Sequence, residues 1–379
     1  MYFLRIMKAG LALAIFSWMP RMALQAFLTV RPGSWCVQVL GQSRFARPRL
    51  QLQGSSHNMH RWTWTPALSP RAENPQISGA GYSNPVVRKN RLLRQCDLPA
   101  DLGPILAVSA GFGHTCAVRA DGELICFGWN HAGQCDVPAD LGPVLAVSAG
   151  NVHACAVRSD GQLVCFGEHI NGQWDVAVDF SAGFLHTCAV RTDGQLVCFG
   201  DNDQGQCDIP ADLGQVVAVS AGGVHTCAVR TDGELICFGN EPFGASAVPE
   251  DLGQVCAVSA GGDHTCAVRT DGQLVCFGDN DEGQCDVPAD LGRVVAVSAG
   301  GFHTCAVRAD GELICFGNNS DGQCDVPADL GRVLAVSAGN FHTCAVRLDG
   351  QLVCKERTPS GSLVCRQIAD ELWQSQRAG

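Results

Sequence analysis

The chain has 379 residues, 46% of them hydrophobic, so it can bury a substantial core, and its 44 glycines and 22 cysteines stand far above average usage. The glycines follow no three-residue period, which excludes a collagen-like fold. Charge is divided: residues 1–94 hold 13 Lys and Arg against the single acid Glu73, whereas residues 95–379 carry a net −23. So acidic a surface repels a polyanion, and direct nucleic-acid contact by this part of the chain is not expected.

Residues 1–8 are short and basic, and the apolar run 9–19 ends at Pro20 and Arg21. Eleven residues are too few to cross a bilayer as a helix, so no transmembrane segment is expected in the mature chain. Residues 1–30 fit a signal or transit segment. Residues 31–94 show no sustained period of 2 or 3.6 and read as a basic, low-order linker. Localisation is then secreted or organellar if this segment is genuine, and otherwise cytoplasmic.

From residue 95 the sequence repeats. Its clearest copy reads QCDVPADLGRVVAVSAGGFHTCAVRADGELICFGNNSDG, and its histidines fall at His114, His153, His186, His225, His264, His303 and His342, spaced by 39 residues except for one step of 33. The short step lies where residues 173–183 lack the equivalent of the PADLG connection. Each copy holds four short candidate strands divided by turn signals; in one, these are residues 293–298, 303–308, 312–316 and 323–326. Four antiparallel strands in 39 residues make one blade, so the prediction is an all-β, seven-bladed propeller over residues 95–354. The seventh copy lacks its outer strand, and an orphan copy, QCDLP, stands at residues 95–99. Pairing of these residues with 351–354 is expected to close the ring. Residues 355–379 form a C-terminal tail, in which 362–366 imitate the LVC strand once more and could compete for an edge, and 368–377 could form a short helix.

The motif AGxxHTCAVRxDGxLxCFGxNxxGQ resembles the regulator of chromosome condensation repeat, whose members form seven-bladed propellers. Its compact units are also similar to the β-lactamase-inhibitor propeller of this class, with Phe at 127, 166, 199, 238, 277 and 316 where the family commonly has Trp. The resemblance implies a range of roles: exchange factors for a small nuclear GTPase, recognition modules of ubiquitin ligases, plant receptor ectodomains and inhibitors. The exchange factor works through a wedge outside the repeat consensus, and no insertion of that kind interrupts these uniform units. A ligase's catalytic domain is not expected in the 25 residues after Cys354. Fold alone transfers no function.

Each blade holds two cysteines ten residues apart: Cys116 and Cys126, Cys155 and Cys165, Cys188 and Cys198, Cys227 and Cys237, Cys266 and Cys276, Cys305 and Cys315, Cys344 and Cys354. A three-residue hairpin loop centred on the aspartate would make each pair direct cross-strand neighbours, within reach of a disulfide. Core thiols are the alternative, decided by whether the chain is exported. A third set, Cys96, Cys135, Cys207, Cys285 and Cys324, is replaced by Trp174 and Ser246 in other copies, so no uniform bond is expected there. The seven histidines recur identically, as turn-holding residues would and a single catalytic constellation would not. Asp201, Asp203, Gly205 and Asp279, Asp281, Gly283 depart from a calcium loop in their glycine position and final ligand. No metal, cofactor or enzymatic activity is therefore expected.

The repeats differ most in the loops joining the first to the second and the third to the fourth strand, which emerge on one face. There stand Phe112, Trp129, His131, His169, Phe184, Phe243, Asp263, Phe302 and Phe341. Aromatics among acids suit protein recognition, although the phenylalanines after SAG could instead pack inward. The expected function is a monomeric, non-catalytic propeller that binds another protein, with a basic partner suited to its charge. The alternative is a guanine-nucleotide exchange factor or regulatory subunit for a small GTPase, or a ubiquitin-ligase-associated recognition module.

Overall fold

The computed structural model describes residues 95–96, 98–99, 102–168, 172–174, 177–240, 243–357 and 363–367, all in one compact unit. The first blade holds β1 (Ile105–Ala110), β2 (His114–Arg119) and β3 (Leu124–Gly128), and the second β4 (Val144–Ala149), β5 (His153–Arg158), β6 (Leu163–Gly167) and β7 (Gly172–Trp174). The third contains β8 (Ala177–Ala182), β9 (His186–Arg191) and β10 (Leu196–Gly200), and the fourth β11 (Val216–Ala221), β12 (His225–Arg230) and β13 (Leu235–Gly239). The fifth has β14 (Val255–Ala260), β15 (His264–Arg269) and β16 (Leu274–Gly278), and the sixth β17 (Val294–Ala299), β18 (His303–Arg308) and β19 (Leu313–Gly317). The seventh is built from β20 (Val333–Ala338), β21 (Thr343–Arg347), β22 (Leu352–Arg357) and β23 (Leu363–Gln367). Every sheet is an antiparallel meander.

The hairpin after each middle strand follows from its sequence. In the first blade the Arg119 N–H donates to the Glu123 carbonyl at 2.9 Å, and the Gly122 N–H donates to the Arg119 carbonyl. Gly122 has φ +88, a left-handed conformation that favours glycine, and Asp121 Oδ1 accepts from the Glu123 N–H. This three-residue loop sets the register Cys116↔Cys126. The same register recurs in all seven blades.

Each facing pair is joined as a disulfide. In the first three blades Cys116 is bonded to Cys126, Cys155 to Cys165, and Cys188 to Cys198. In the remaining four, Cys227 is bonded to Cys237, Cys266 to Cys276, Cys305 to Cys315, and Cys344 to Cys354. The paired Cα atoms lie 4.0–4.1 Å apart in every case. Of the two open readings for these fourteen cysteines, the structure takes the disulfide, and the core-thiol alternative is set aside at every pair.

Alternation along the middle strand builds the core between blades. Cys116 and Val118 face the next blade, where they meet Ala154 and Ala156. Ala117 faces the previous one and meets Val346, Leu352, Cys344 and Cys354. Small residues on one side thus receive large ones from the other, and seven such clusters fill the seven interfaces.

The outer strand corrects the four-strand expectation. Five sheets have three strands, and only β7 and β23 add a fourth. In the first blade Asn130 Oδ1 accepts from the Cys135 N–H at 2.8 Å, the Asp136 N–H donates to the Gly133 carbonyl, and the Val137 N–H donates to the Cys135 carbonyl. With these donors satisfied locally, the QCDVP segment bends rather than extending a ladder. The second blade escapes this pattern where the connection is six residues shorter, and β7 pairs with β6.

Among the described residues, Gln95, Cys96, Leu98 and Pro99 likewise form no ladder with β22, whose outer neighbour is β23, drawn from the segment expected to be a tail. The first and seventh blades nevertheless meet. Ile105 N–H donates to the Gly350 carbonyl at 2.9 Å, and Ala110 N–H donates to Ser337 Oγ at 2.9 Å. The candidate helix at 368–377 and the N-terminal 1–94 lie outside the described residues.

Candidate protein-binding face

Three concentric sets of contacts between blades hold the loop face rigid. Innermost, each SAG serine accepts from the alanine N–H of the following blade, from Ser109 to Ala149 around to Ser337 and Ala110, at 2.9–3.0 Å. Above it, backbone bonds such as Phe112 N–H to the Gly150 carbonyl and Asn340 N–H to the Gly111 carbonyl also run around the ring. A Cβ on Gly111 would overlap the Gly150 carbonyl and lie 2.7 Å from the His114 ring, so this close approach requires glycine.

The third set joins histidine to threonine. His186 Nε2 lies 2.9 Å from Thr226 Oγ1, which donates to the Gln206 carbonyl. Because the hydroxyl's one proton goes to that carbonyl, the histidine must carry its proton on Nε2. Six of the seven histidines make this contact. His114 does not, because Ala154 stands where the others meet threonine. Neither of its ring nitrogens makes a hydrogen bond of ordinary geometry, although the His153 backbone lies close enough to favour its protonated form. Burial outweighs such effects and pushes His114, His186 and His303 down to about 4 and His264 to about 3. These four are neutral, and all seven histidines are fully buried.

On this frame five of the nine candidate residues come together. Phe112 meets Phe341 edge-on with ring centroids 5.4 Å apart and Phe184 edge-on at 5.7 Å. It also meets Trp129 at 6.3 Å, and Trp129 stacks on His131 at 3.9 Å. Gly113 lets the indole lie close, since a Cβ there would be 3.0 Å from it. Phe112 and Phe184 help to line a cavity of about 180 Å³ at the centre of the ring, so the phenylalanines are half-buried at its mouth. Trp129 remains 39% exposed. Phe243 stands apart on the fourth blade, 53% exposed. Asp263 and Phe302 are half-buried on the fifth and sixth. His169 lies outside the described residues.

Sequence reading missed Asp179. It is buried in β8 where the other six copies hold alanine, and its Oδ2 accepts from the Val219 N–H of the next blade at 2.8 Å. Burial raises it to about 7, against the lowering effect of bonds from the Val219 and Phe180 N–H groups. The signal was one acid in an otherwise apolar column. The five outer-segment cysteines carry thiols, as their irregular occupancy suggests. Four of them, Cys135, Cys207, Cys285 and Cys324, lie 3.3–3.5 Å from a carbonyl of the preceding turn. Burial, then neighbouring aspartates, pushes these four to about 11 or 12, which leaves them poor nucleophiles.

The regulator of chromosome condensation (RCC1) repeat matches six times, at residues 105–134, 144–173, 177–206, 216–245, 255–284 and 294–323. The chain belongs to the RCC1-repeat family. Similar folds include the CRINKLY WD40 ectodomain of the Arabidopsis thaliana receptor kinase ACR4 (22% identity, 67% of this chain and 95% of that one, TM-score 0.54). The ectodomain of the Physcomitrella patens receptor kinase CR4 matches at 25% identity over 70% and 74%, with a TM-score of 0.54. Prp20p from Saccharomyces cerevisiae, described with its binding to Gsp1p and histones, matches at 16% over 74% and 86%, with a TM-score of 0.56. No curated protein matches the chain. No helix among the described residues of this RCC1-repeat propeller is long and apolar enough to cross a membrane.

Proposed function

We propose that this RCC1-repeat propeller is a non-catalytic recognition module whose partner docks on the loop face at the Phe112, Trp129 and His131 cluster. The observation that carries this reading is a solvent-reaching indole, backed by packed rings and mounted on a frame tied between every pair of neighbouring blades. Such an anchor gains contact area without ordering a flexible loop. The net −23 of residues 95–379 favours a basic partner surface, chiefly through steering. The hairpin disulfides of the seven blades support an oxidising compartment. The test is quantitative capture of partners from extract with wild type, Trp129→Ala, and charge reversal at Asp232 or Asp271 on the opposite face. Loss in the first variant alone supports the reading; equal binding by all three overturns it.

Exchange on a small GTPase is the second reading. Family membership favours it, and Prp20p, with the same fold, is described as binding Gsp1p and histones. A fluorescent-nucleotide release assay over a panel of small GTPases separates the two readings. Accelerated release at catalytic amounts of this chain would establish exchange and displace the non-catalytic reading.

A further inference from the structure

Cys96 is buried in the interface between the seventh and first blades, in one cluster with Leu102, Ala117, Phe127, Val346, Leu352 and the disulfide partners Cys344 and Cys354. Its side chain carries a thiol, and the three sulfurs lie within 4.8 Å of one another. All three residues are fully buried. Among the described residues no other blade gathers three sulfurs in this way. The equivalent Cys135, Cys207, Cys285 and Cys324 lie against backbone carbonyls of the preceding turn.

We propose that Cys96, Cys344 and Cys354 form a thiol–disulfide exchange site that can lock the N-terminal segment covalently to the seventh blade. The Cys96 thiol gives up its proton and its Sγ attacks one sulfur of the pair. The Cys344–Cys354 bond breaks as the bond to Cys96 forms, and the displaced sulfur leaves as a thiolate that takes up the proton. One disulfide and one thiol stand on each side, so no oxidant or reductant is consumed.

The consequence is topological. The existing bond closes a ten-residue hairpin within one blade. The exchanged bond closes a loop of roughly 250 residues containing every blade, so residue 96 can no longer leave its neighbour. Only a buried site keeps external thiols out of this choice. The same burial disfavours the thiolate, which makes exchange slow at neutral pH and faster in mild alkali. Uncatalysed rearrangement on a scale of minutes to hours is expected.

The test uses the full chain, purified without reductant. Wild type and Cys96→Ser are incubated at pH 8.5 without added thiol, then acid-quenched, alkylated and mapped by non-reducing mass spectrometry. The expected result in wild type is a growing peptide pair joining Cys96 to Cys344 or Cys354, with the alkyl label moving from Cys96 to the displaced cysteine. Cys96→Ser should show only Cys344–Cys354. A Cys354→Ser chain refolded from the reduced, denatured state in oxidised glutathione should yield a Cys96–Cys344 bond. If that variant does not fold, the first comparison decides alone. The proposal is overturned if wild type keeps Cys344–Cys354 throughout while Cys96 takes the whole label. It is equally overturned if Cys96 joins other cysteines as often as these two, because that is scrambling rather than a built site.

Discussion

Ala154 is a natural substitution inside an otherwise regular chain of contacts. Where Thr226 bridges the His186 ring to the Gln206 carbonyl, Ala154 leaves the fully buried His114 ring without a hydrogen bond of ordinary geometry. Restoring the hydroxyl with Ala154→Thr should raise stability by about 1 kcal/mol in denaturant unfolding. Thr226→Ala should lower it by about 1–3 kcal/mol, because two buried groups lose their partner at once. The histidines also set the acid limit. The folded values of His114, His186, His264 and His303, about 3 or 4, lie below the unfolded 6.5, so the unfolded chain binds more protons between these values. Stability should therefore be full above pH 6.5 and fall steadily as pH drops toward 4. Asp179 acts in the opposite sense. Raised from 3.8 to about 7, it binds its proton more tightly when folded, and its cost grows as pH rises through that window to at most about 4 kcal/mol. Asp179→Ala, the residue of the other six copies, should gain on wild type as pH rises from 5 to 8. A stability difference independent of pH would show that the carboxyl is not held protonated.

Within a blade, the hairpin that pairs the cysteines was legible because its information is local. Asp121 and Gly122 specify a three-residue loop, the loop fixes the register, and the register puts Cys116 opposite Cys126. The outer segment was not legible for the opposite reason. Its apolar and polar alternation reads as a strand, yet the side chain of Asn130, five residues upstream, takes the Cys135 N–H that a ladder would use. No periodicity reports such a capture. The echo of LVC near the C-terminus was a sounder guide, since Leu363–Gln367 does take the edge of β22. On the binding face the variable aromatics could be named from sequence. Their convergence on Phe112 could not, since it depends on blades separated by most of the chain. The disulfide itself is an element-scale device, closing a short loop whose chain-entropy contribution is about 2–3 kcal/mol. Replacing Cys227 and Cys237 together by serine should lower the unfolding free energy by about that amount while partner binding at Trp129 persists. A loss of binding in that variant would mean that the fourth blade's hairpin supports the face.

At the scale of the molecule, the question is what holds the first blade against the seventh. Serine-to-alanine and backbone bonds cross this junction as they cross the others, and Gln95, Cys96 and Leu102 add further contacts to it. Gln95 gives its carbonyl to Thr115 Oγ1 at 2.9 Å, and Cys96 and Leu102 fill the core between the blades. At four other junctions the corresponding bond to a threonine hydroxyl comes from a continuous chain, as from Thr226 to the Gln206 carbonyl, whereas here it must come from the far end of the repeat array. Removing residues 1–94 leaves these contacts in place and should lower the unfolding free energy by less than the longer truncation does. Removing residues 1–104 strips two fully buried side chains and the bond to Thr115. It should cost at least about 3 kcal/mol and expose apolar surface that promotes association. Denaturant unfolding with sedimentation of both truncated chains provides the measurement. Equal stability with both species monomeric would show that the inner ring of serine and backbone bonds closes the propeller without help from the N-terminal segment.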